Sequence, residues 1–383
     1  LNARENFLEL AERRESVLRL ARMLSYNPRR NQAANGLLKF GTVSTTESII
    51  DSNGNNLSEQ TIIWNDPSNS NWSEQFRRVL NASLPQNGTI GKPAVSKVIN
   101  GVLTQQYRIN GGQQDVPIFG FTKGINGLPT QFEVVSTGID TDLNKIIEEN
   151  PVPGTSLAFL YREDGRGSNS SNSGYFLHFR QGKMQSNEFT INSPSANQKI
   201  AIEAENINDT DVWLYQLNTA GTANKIWTQV SSTEGNNAIY NSLVKKIKDY
   251  YVVQTRGNDE ISLVFADGTF GNLPNGSFRI YYRTSNNRII SIAPADLTGI
   301  TVSLPYTSKA GTSETLTLGL ELKQAVNNAT NSESTASIKS NAPQTYYTQN
   351  RMVTGEDYNI VPLTTNQEII KVKSTNRTTS GIS

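Results

Sequence analysis

Residues 260–287 read EISLVFADGTFGNLPNGSFRIYYRTSNN, two alternating segments on either side of a glycine-crowded stretch. In EISLVF, Ile261, Leu263 and Phe265 share one face. In SFRIYYR, Phe278, Ile280 and Tyr282 share one face while Arg279, Tyr281 and Arg283 take the other, the two-residue period of strands. Between them, Asp267-Gly268 and Asn275-Gly276 are turn pairs whose glycines take positive φ without strain, and Gly271 permits a further kink. The connection is too long for a tight hairpin and contains no convergent acid, base or ligand set. It predicts a shaped double turn, with Gly268 and Gly276 at positive φ, inside a mainly β chain.

The same style extends upstream. From Gly36 to about Ile139, short alternating runs (LLKFGTV, TIIW, KVINGV, PIFGFT, TQFEVVST) are separated by Asn, Gly, Pro and Ser clusters, the spacing of antiparallel β-structure. TSLAFLYRE, YFLHFRQ, QKIAIEAE, DVWLYQLN and KIWTQV continue it over 151–245, and a short helix is expected near 238–251. The expected division is an N-terminal helical segment at 1–35 and a β-rich domain at 36–150. An inserted β-rich domain follows at 151–245, then a core with the double turn at 246–310 and a C-terminal α+β segment at 311–383. The fold class is mainly β (α+β), multi-domain and antiparallel, with helices at the two ends. Residues 3–24 form the clearest helix, because Phe7, Leu10, Ala11, Val17, Leu18, Ala21 and Leu24 fall within an arc of about 140°. Arg14 projects near the middle of that arc. Its stem packs with a snorkelling guanidinium, or it makes a desolvated ion pair with an acid on a neighbouring element or subunit. Pro28 in SYNPRR ends the helix. Near the other end, SESTASIKSNAP predicts a short helix stopped before Pro343. VTGEDYNIVPL predicts another, with Thr354 and Asp357 as a capping box.

Composition narrows function. With 18% charged residues and a formal net charge of +1, there is no electrostatic case for nucleic acid or an anionic membrane. Cysteine is absent, which excludes disulfide and thiolate–metal frameworks. No apolar run approaches the roughly 18 residues of a membrane span. The chain opens on Leu1 rather than Met, and a longer parent is expected.

Residues suited to catalysis or metal binding are few. His178 is the only histidine, so the common zinc and nucleophile–histidine arrangements are missing, and between the aromatics of YFLHFRQ it reads as a packed imidazole. Asp140, Asp142, Glu148 and Glu149 cluster, as do Glu163 and Asp164, but solvated turn and helix-end charges account for both more simply than a glycosidase pair. DSNGNN at 51–56 lacks the sixth-position glycine and the twelfth-position carboxylate of a calcium loop and reads as a turn.

Three stretches, in order, carry a resemblance. VFADGTFGNLPNGSFRIYYR resembles the glycine-rich motif of the baseplate-J-like family of contractile phage tails, with Asp267, Gly268, Gly271, Pro274 and Gly276 in the matching places. SESTASIKSNAPQTYYTQNRMVTGEDY resembles the family's second motif, with Glu333, Ser334, Ala342, Pro343, Arg351, Val353, Thr354, Asp357 and Tyr358 in order. RRESVLRLARMLSYNPRRNQAA is similar to the helix before the family's Gly-Tyr-x-Pro turn. Ala266 and Ser25 stand where that pattern has glycine, and 151–245 matches none of it.

The resemblance implies a structural baseplate wedge subunit with no enzymatic activity and no cofactor. Its implied partners are other wedge subunits and copies of itself in a ring around the central hub, with sheath-initiating and hub proteins nearby. Its implied place is the tail baseplate of a virion assembled in the host cytoplasm, where it would transmit the rearrangement that triggers sheath contraction. Phe7, Leu10, Arg14, Leu18 and Ala21 are the expected subunit-contact residues. The alternative is an extracellular β-rich carbohydrate-binding or adhesin protein, which a shared aromatic platform of Trp213, Tyr215 and Trp227 would favour. A carboxylate glycosidase is the third reading.

Overall fold

A computed structural model describes residues 3–112, 115–230, 247–269, 271–348, 355, 358, 359, 361, 362 and 372–375. Strands dominate (42% against 14% helix), so the chain is mainly β. It divides into two units. A sheet unit comprises Ala33–Met184 and Ile289–Thr330. A terminal unit comprises the described residues of Leu1–Gln32, Gln185–Arg288 and Asn331–Ser383.

The sheet unit is built on a ten-stranded sheet whose main path runs Ile300–Thr307, Ser313–Leu322, Asn35–Thr45, Gly174–Gln181, Ala158–Glu163, Val102–Arg108 and Val95–Ile99. Every neighbouring pair along this path is antiparallel. Leu128–Val135 joins it by pairing with both Gly174–Gln181 and Ile118–Ile125. Two hairpins are made by Asn-Gly pairs with both residues at positive φ: Asn100-Gly101 (50° and 78°) and Asn126-Gly127 (51° and 77°). That is the turn geometry that matches strand twist, and only Asn, Asp and Gly enter it cheaply. Leu38, Phe40, Phe159, Leu177, Phe179, Leu304 and Leu318 fill the core beneath.

The boundaries expected at 150/151 and 245/246 differ from those of the structure. Ala158–Glu163 and Gly174–Gln181 are inner strands of the sheet unit, because Tyr161 and Leu160 register against Gln105 and Gln106 while Leu177 and His178 register against Leu38 and Leu37. The chain leaves this unit after Met184 and returns at Ile289. Similar alternating patterns on both sides of residue 184 give no compositional step to read. One helix also escapes a strand-period reading: Trp72–Ala82, which buries Phe76, Val79 and Leu80. Its apolar spacing of three and four residues was the available signal.

In the terminal unit, a seven-stranded sheet runs Lys183–Ile191, Gly276–Thr284, Ile207–Leu217, Ala223–Gln229, Tyr250–Thr255, Ile261–Phe265 and Lys199–Ile202. Ile261, Leu263, Phe265, Phe278, Ile280 and Tyr282 all lie in its core, as their alternation predicts. Two helices accompany it, Arg14–Met23 (α1) and Thr335–Thr348 (α2). The helix expected over 3–24 is shorter than its apolar arc: a 3-10 turn covers Ala3–Asn6, and α1 begins only at Arg14, after an extended Arg13. α2 runs on through Pro343 instead of stopping before it. The proline removes one amide donor from the helix ladder. Ile338 and Ala342, buried against Val17, Leu18 and Ala21 of α1, hold the helix across that gap. The helix expected near 238–251 lies outside the described residues up to 246, and Tyr250–Thr255 is a strand.

Candidate functional site

Several charged and polar residues of the terminal unit meet in a polar junction around Glu333, itself buried. α1 supplies its first part. The helix ends with Ser25 at φ 60°, its amide on the Arg22 carbonyl (2.9 Å) and the Tyr26 amide on the Ala21 carbonyl (3.0 Å). This is the paired-bond stop in which a left-handed residue reverses the chain. Serine thus adopts the geometry for which glycine is preferred. The reversal carries Tyr26 to Glu333, where its hydroxyl donates to both carboxylate oxygens at 2.8 and 2.9 Å.

Glu333 has further donors. The Arg29 amide (3.3 Å), Ser337 Oγ (2.9 Å) and Asn341 Nδ2 (2.9 Å) all point at its carboxylate. Its own amide donates to the Arg29 carbonyl at 3.0 Å. Ser334 Oγ, one residue beyond Glu333, accepts the Ser337 amide at 3.1 Å, a side-chain cap at the start of α2. Burial, and then the neighbouring Glu333 charge, push the Tyr26 phenol well above its ordinary pKa, so it stays a donor through the physiological range.

Arg14 settles its two readings in favour of an ion pair within the chain. Nη2 stands 3.3 Å from Asp259 Oδ1 and Nη1 donates to the Glu333 carbonyl at 2.7 Å. Asp259 is buried at the tip of a turn in which Asn258 and Asp259 both have positive φ (54° and 56°), and it also accepts from Asn287 Nδ2 at 3.3 Å. Of the expected contact residues, Leu18 and Ala21 are core against α2, which corrects their assignment to a subunit face. Phe7 (61% exposed) and Leu10 (54%) lie before α1 on the surface.

Below the junction, the segment after α1 is laced into the sheet. The pairing of Ile207–Leu217 with Gly276–Thr284 slips between Ile207 and Val212, creating a bulge. Into it Arg30 donates from Nε to the Ile207 carbonyl (3.2 Å) and from Nη2 to the Asp209 carbonyl (2.8 Å). Beside it Arg283 (0% exposed) pairs with Asp211 (1%) at 3.3 Å. The alternation of SFRIYYR gives Arg283 its face correctly, but not that this face is sealed at that point.

The double turn takes its expected form, with Gly268 at φ 88° and Gly276 at φ 96°. Asp267 Oδ1 accepts the Thr269 amide at 2.9 Å, and Asn272 fastens the loop to Asp249 by its side chain (2.9 Å) and to the Lys248 carbonyl by its amide (2.8 Å). Gly271 does more than permit a kink: a Cβ there would overlap the Tyr250 ring and stand 2.6 Å from the Ala266 Cβ. Pro274 is buried. Pro343 sits inside α2, Tyr358 is exposed, and Arg351, Thr354 and Asp357 lie outside the described residues, as does the capping box expected there.

The remaining candidates are occupied with structure. Asp51 accepts from the Asn53 and Asn55 amides (2.9 and 2.8 Å), Asn55 Nδ2 (3.0 Å) and Gln75 Nε2 (2.7 Å), donors where a cation site needs acceptors. Glu148 pairs with Arg180 at 3.0 Å and Glu149 with Arg108 at 2.5 Å, while Asp140 caps the turn at Asp142 and Leu143. Glu148 and Glu149 are thus ion-pair partners, not solvated charges. His178 is buried between Leu37 and Val135 in the sheet. Trp213 registers with Tyr281 on one face of its sheet, whereas Trp227, opposite Leu214, lies in the core on the other face. The three aromatics therefore make no common platform. A shallow cavity of about 580 Å³ beside Arg108, Glu149, Asn150 and Thr155 has its charged pair already joined. Among the described residues, no three acidic or histidine side chains are grouped to hold a metal.

The site is a polar clasp between helices and sheet in a mainly β chain, without an assembled acid–base or nucleophile set among its described residues. The chain belongs to the DUF8360 family, a domain of unknown function matched over residues 36–325. No curated protein matches it. The family match includes the double turn and stops short of α1 and α2 on either side.

Proposed function

We propose that this chain is a structural subunit of a contractile-tail baseplate wedge, linking wedges into a ring around the central hub and passing on the rearrangement that triggers sheath contraction. The observation that carries the reading is where the resembling motifs fall. Glu333 of the SES motif is the acceptor for Tyr26 and Arg29 of the N-terminal motif, and Arg14 of that motif reaches the Glu333 carbonyl. The glycines of the third motif occupy positive-φ and contact positions. In all three, the described motif residues hold backbone and helices in place. That is what a load-transmitting subunit needs: buried charged groups with several partners each, which separate only together. The partners under this reading are other wedge subunits and further copies of the chain, with Phe7 and Leu10 as exposed contact candidates, and catalysis plays no part.

Electron cryomicroscopy of intact particles tests it. Density for this chain repeated around a six-fold baseplate axis supports the proposal. Its location on a fibre tip or cell-surface appendage would refute it.

A further inference from the structure

Segment 164–173 of the sheet unit reads DGRGSNSSNS, without one apolar side chain, and links Ala158–Glu163 to Gly174–Gln181. It lies against Lys39, which is only 2% exposed and donates from Nζ to the carbonyls of Ser170 (2.9 Å) and Ser168 (3.4 Å) while standing 5.0 Å over the Trp64 ring. The other fasteners are polar as well. Trp64 Nε1 donates to the Ser168 carbonyl (3.0 Å) and Ser168 Oγ to Asn65 Oδ1 (2.8 Å). Gln324 Nε2 donates to Ser171 Oγ (3.1 Å) and Asn172 Oδ1 (3.0 Å). Glycines at positive φ stand at both ends: Gly165 (75°), Gly167 (84°) and Gly174 (132°). A segment held by hydrogen bonds, without apolar side chains of its own to bury, belongs to the low-stability end of a fold.

We infer that segment 164–173 is a strap that opens and closes over Lys39, and that protonation of the Lys39 amine sets how often it opens. Closing removes an ammonium from water, and two carbonyls with one ring face replace that hydration only in part. The charges acting on it are Lys323 and Glu321, paired with each other at 2.7 Å beyond and at the end of Ser313–Leu322, and Asp164 at the base of the strap. Asp164 is itself held low, at about 2, by Ser170 and Ser173, so its charge is constant above mildly acid pH. Burial first, and then Lys323, push the closed-state Lys39 down to about 8. Opening rehydrates the amine and moves it back toward the ordinary lysine value near 10.4, with Lys323 still nearby. The open strap therefore holds the proton more tightly, and acidification favours opening. From these two values, the opening constant is about tenfold larger at pH 6.5 than at pH 9.

Hydrogen exchange of the full chain, followed by mass spectrometry on peptides covering 164–173 and corrected for intrinsic exchange, reads this directly. The Ser170 amide, bonded to the Gly167 carbonyl at 3.1 Å, and the Asn172 amide, bonded to Ser170 Oγ at 3.1 Å, are the reporters. The wild type is expected to open about tenfold more at the lower pH. Lys39→Arg, charged throughout, should flatten the ratio to within about twofold. Asn65→Ala should raise opening at both pH values and keep the ratio. A wild-type ratio within twofold of unity overturns the inference whether or not Lys39→Arg folds. So does a tenfold ratio that survives in Lys39→Arg.

Discussion

The junction makes a quantitative prediction at Tyr26. Replacing it with Phe removes one hydroxyl that serves both oxygens of a buried carboxylate, at 2.8 and 2.9 Å, and changes little else in shape. Hydrogen bonds to charged groups contribute about 1.5–3 kcal/mol each. Glu333 would keep Ser337, Asn341 and the Arg29 amide, so it is not stranded, and the expected loss lies at the lower end, about 1.5–2 kcal/mol. Glu333→Gln should cost more, about 2–3 kcal/mol, because half of the amide is a donor facing a ring of donors. Since the two residues share a bond, the double variant should fall short of additivity by about 1–2 kcal/mol. A chain of two units need not unfold in one step, so the measurement should be local. Native-state hydrogen exchange at the Ile338 amide, bonded to the Ser334 carbonyl at 3.0 Å in the first turn of α2, reports the clasp itself. An additive double variant, or Tyr26→Phe within 0.5 kcal/mol of wild type, would show that the Tyr26–Glu333 contact does not hold the helices.

Other expectations concern single positions. Ser25→Gly should raise stability by about 0.5–1 kcal/mol, measured by denaturant unfolding, because the residue already sits at φ 60°. A lower midpoint would contradict the helix stop described. Gly268→Val should lose at least about 1 kcal/mol by forcing a branched residue to φ 88°. Gly271→Ala, at ordinary φ, should also destabilise by about 1–3 kcal/mol by overpacking Tyr250, and an unchanged melting temperature would place that ring elsewhere. Asp51 is held at about 2 by Asn55 first and then Gln75, so its stabilisation is complete above the unfolded value near 3.9 and is lost as pH falls toward 2. Asp51→Asn should therefore flatten the melting temperature between pH 4 and pH 2, and an unchanged slope would remove Asp51 from the acid response. Leu18→Asp should unfold the helix pair, whereas Leu10→Asp should fold normally and impair incorporation into baseplates. Normal incorporation of Leu10→Asp removes that residue from the contact surface.

The strands were legible because alternation follows directly from their geometry: the face that carries Ile261, Leu263 and Phe265 in sequence is the face that is buried. The Asn-Gly hairpins and the glycines of the double turn were legible for a similar reason, since few residues enter left-handed backbone cheaply. The unit boundaries were not. A β chain that leaves one sheet after Met184 and returns at Ile289 keeps the same composition throughout, and which strands pair is decided by contacts distant in sequence. The N-terminal helix is also shorter than its apolar periodicity implies. Periodicity continues through Phe7 and Leu10, but the chain before Arg14 is tied off otherwise, with Glu5 accepting the Glu12 amide at 3.1 Å.

Of the polar junction, the sequence offered single residues without their meeting. Arg14 in an apolar arc announced a charge needing a partner, yet nothing local identifies Asp259, 245 positions away, as that partner. Tyr26 and Glu333 are 307 positions apart and lie on opposite sides of the family-matched segment. That separation has a mechanical consequence. A clasp closed by the two flanks of a chain is expected to form after the intervening strands, because its loop must close at an entropic cost that long-range contacts recover late. The clasp should thus be the last part of the terminal unit to form. Under the proposed function it is also where a pull on either flank arrives first: load on α1 or α2 passes through Tyr26, Arg14 and Glu333 before it reaches a strand. Buried carboxylate–donor sets resist partial opening, since each bond broken leaves a charged group less well satisfied in a dry site. The junction should therefore hold its geometry under modest load and give way abruptly, the behaviour required of a part that relays a rearrangement.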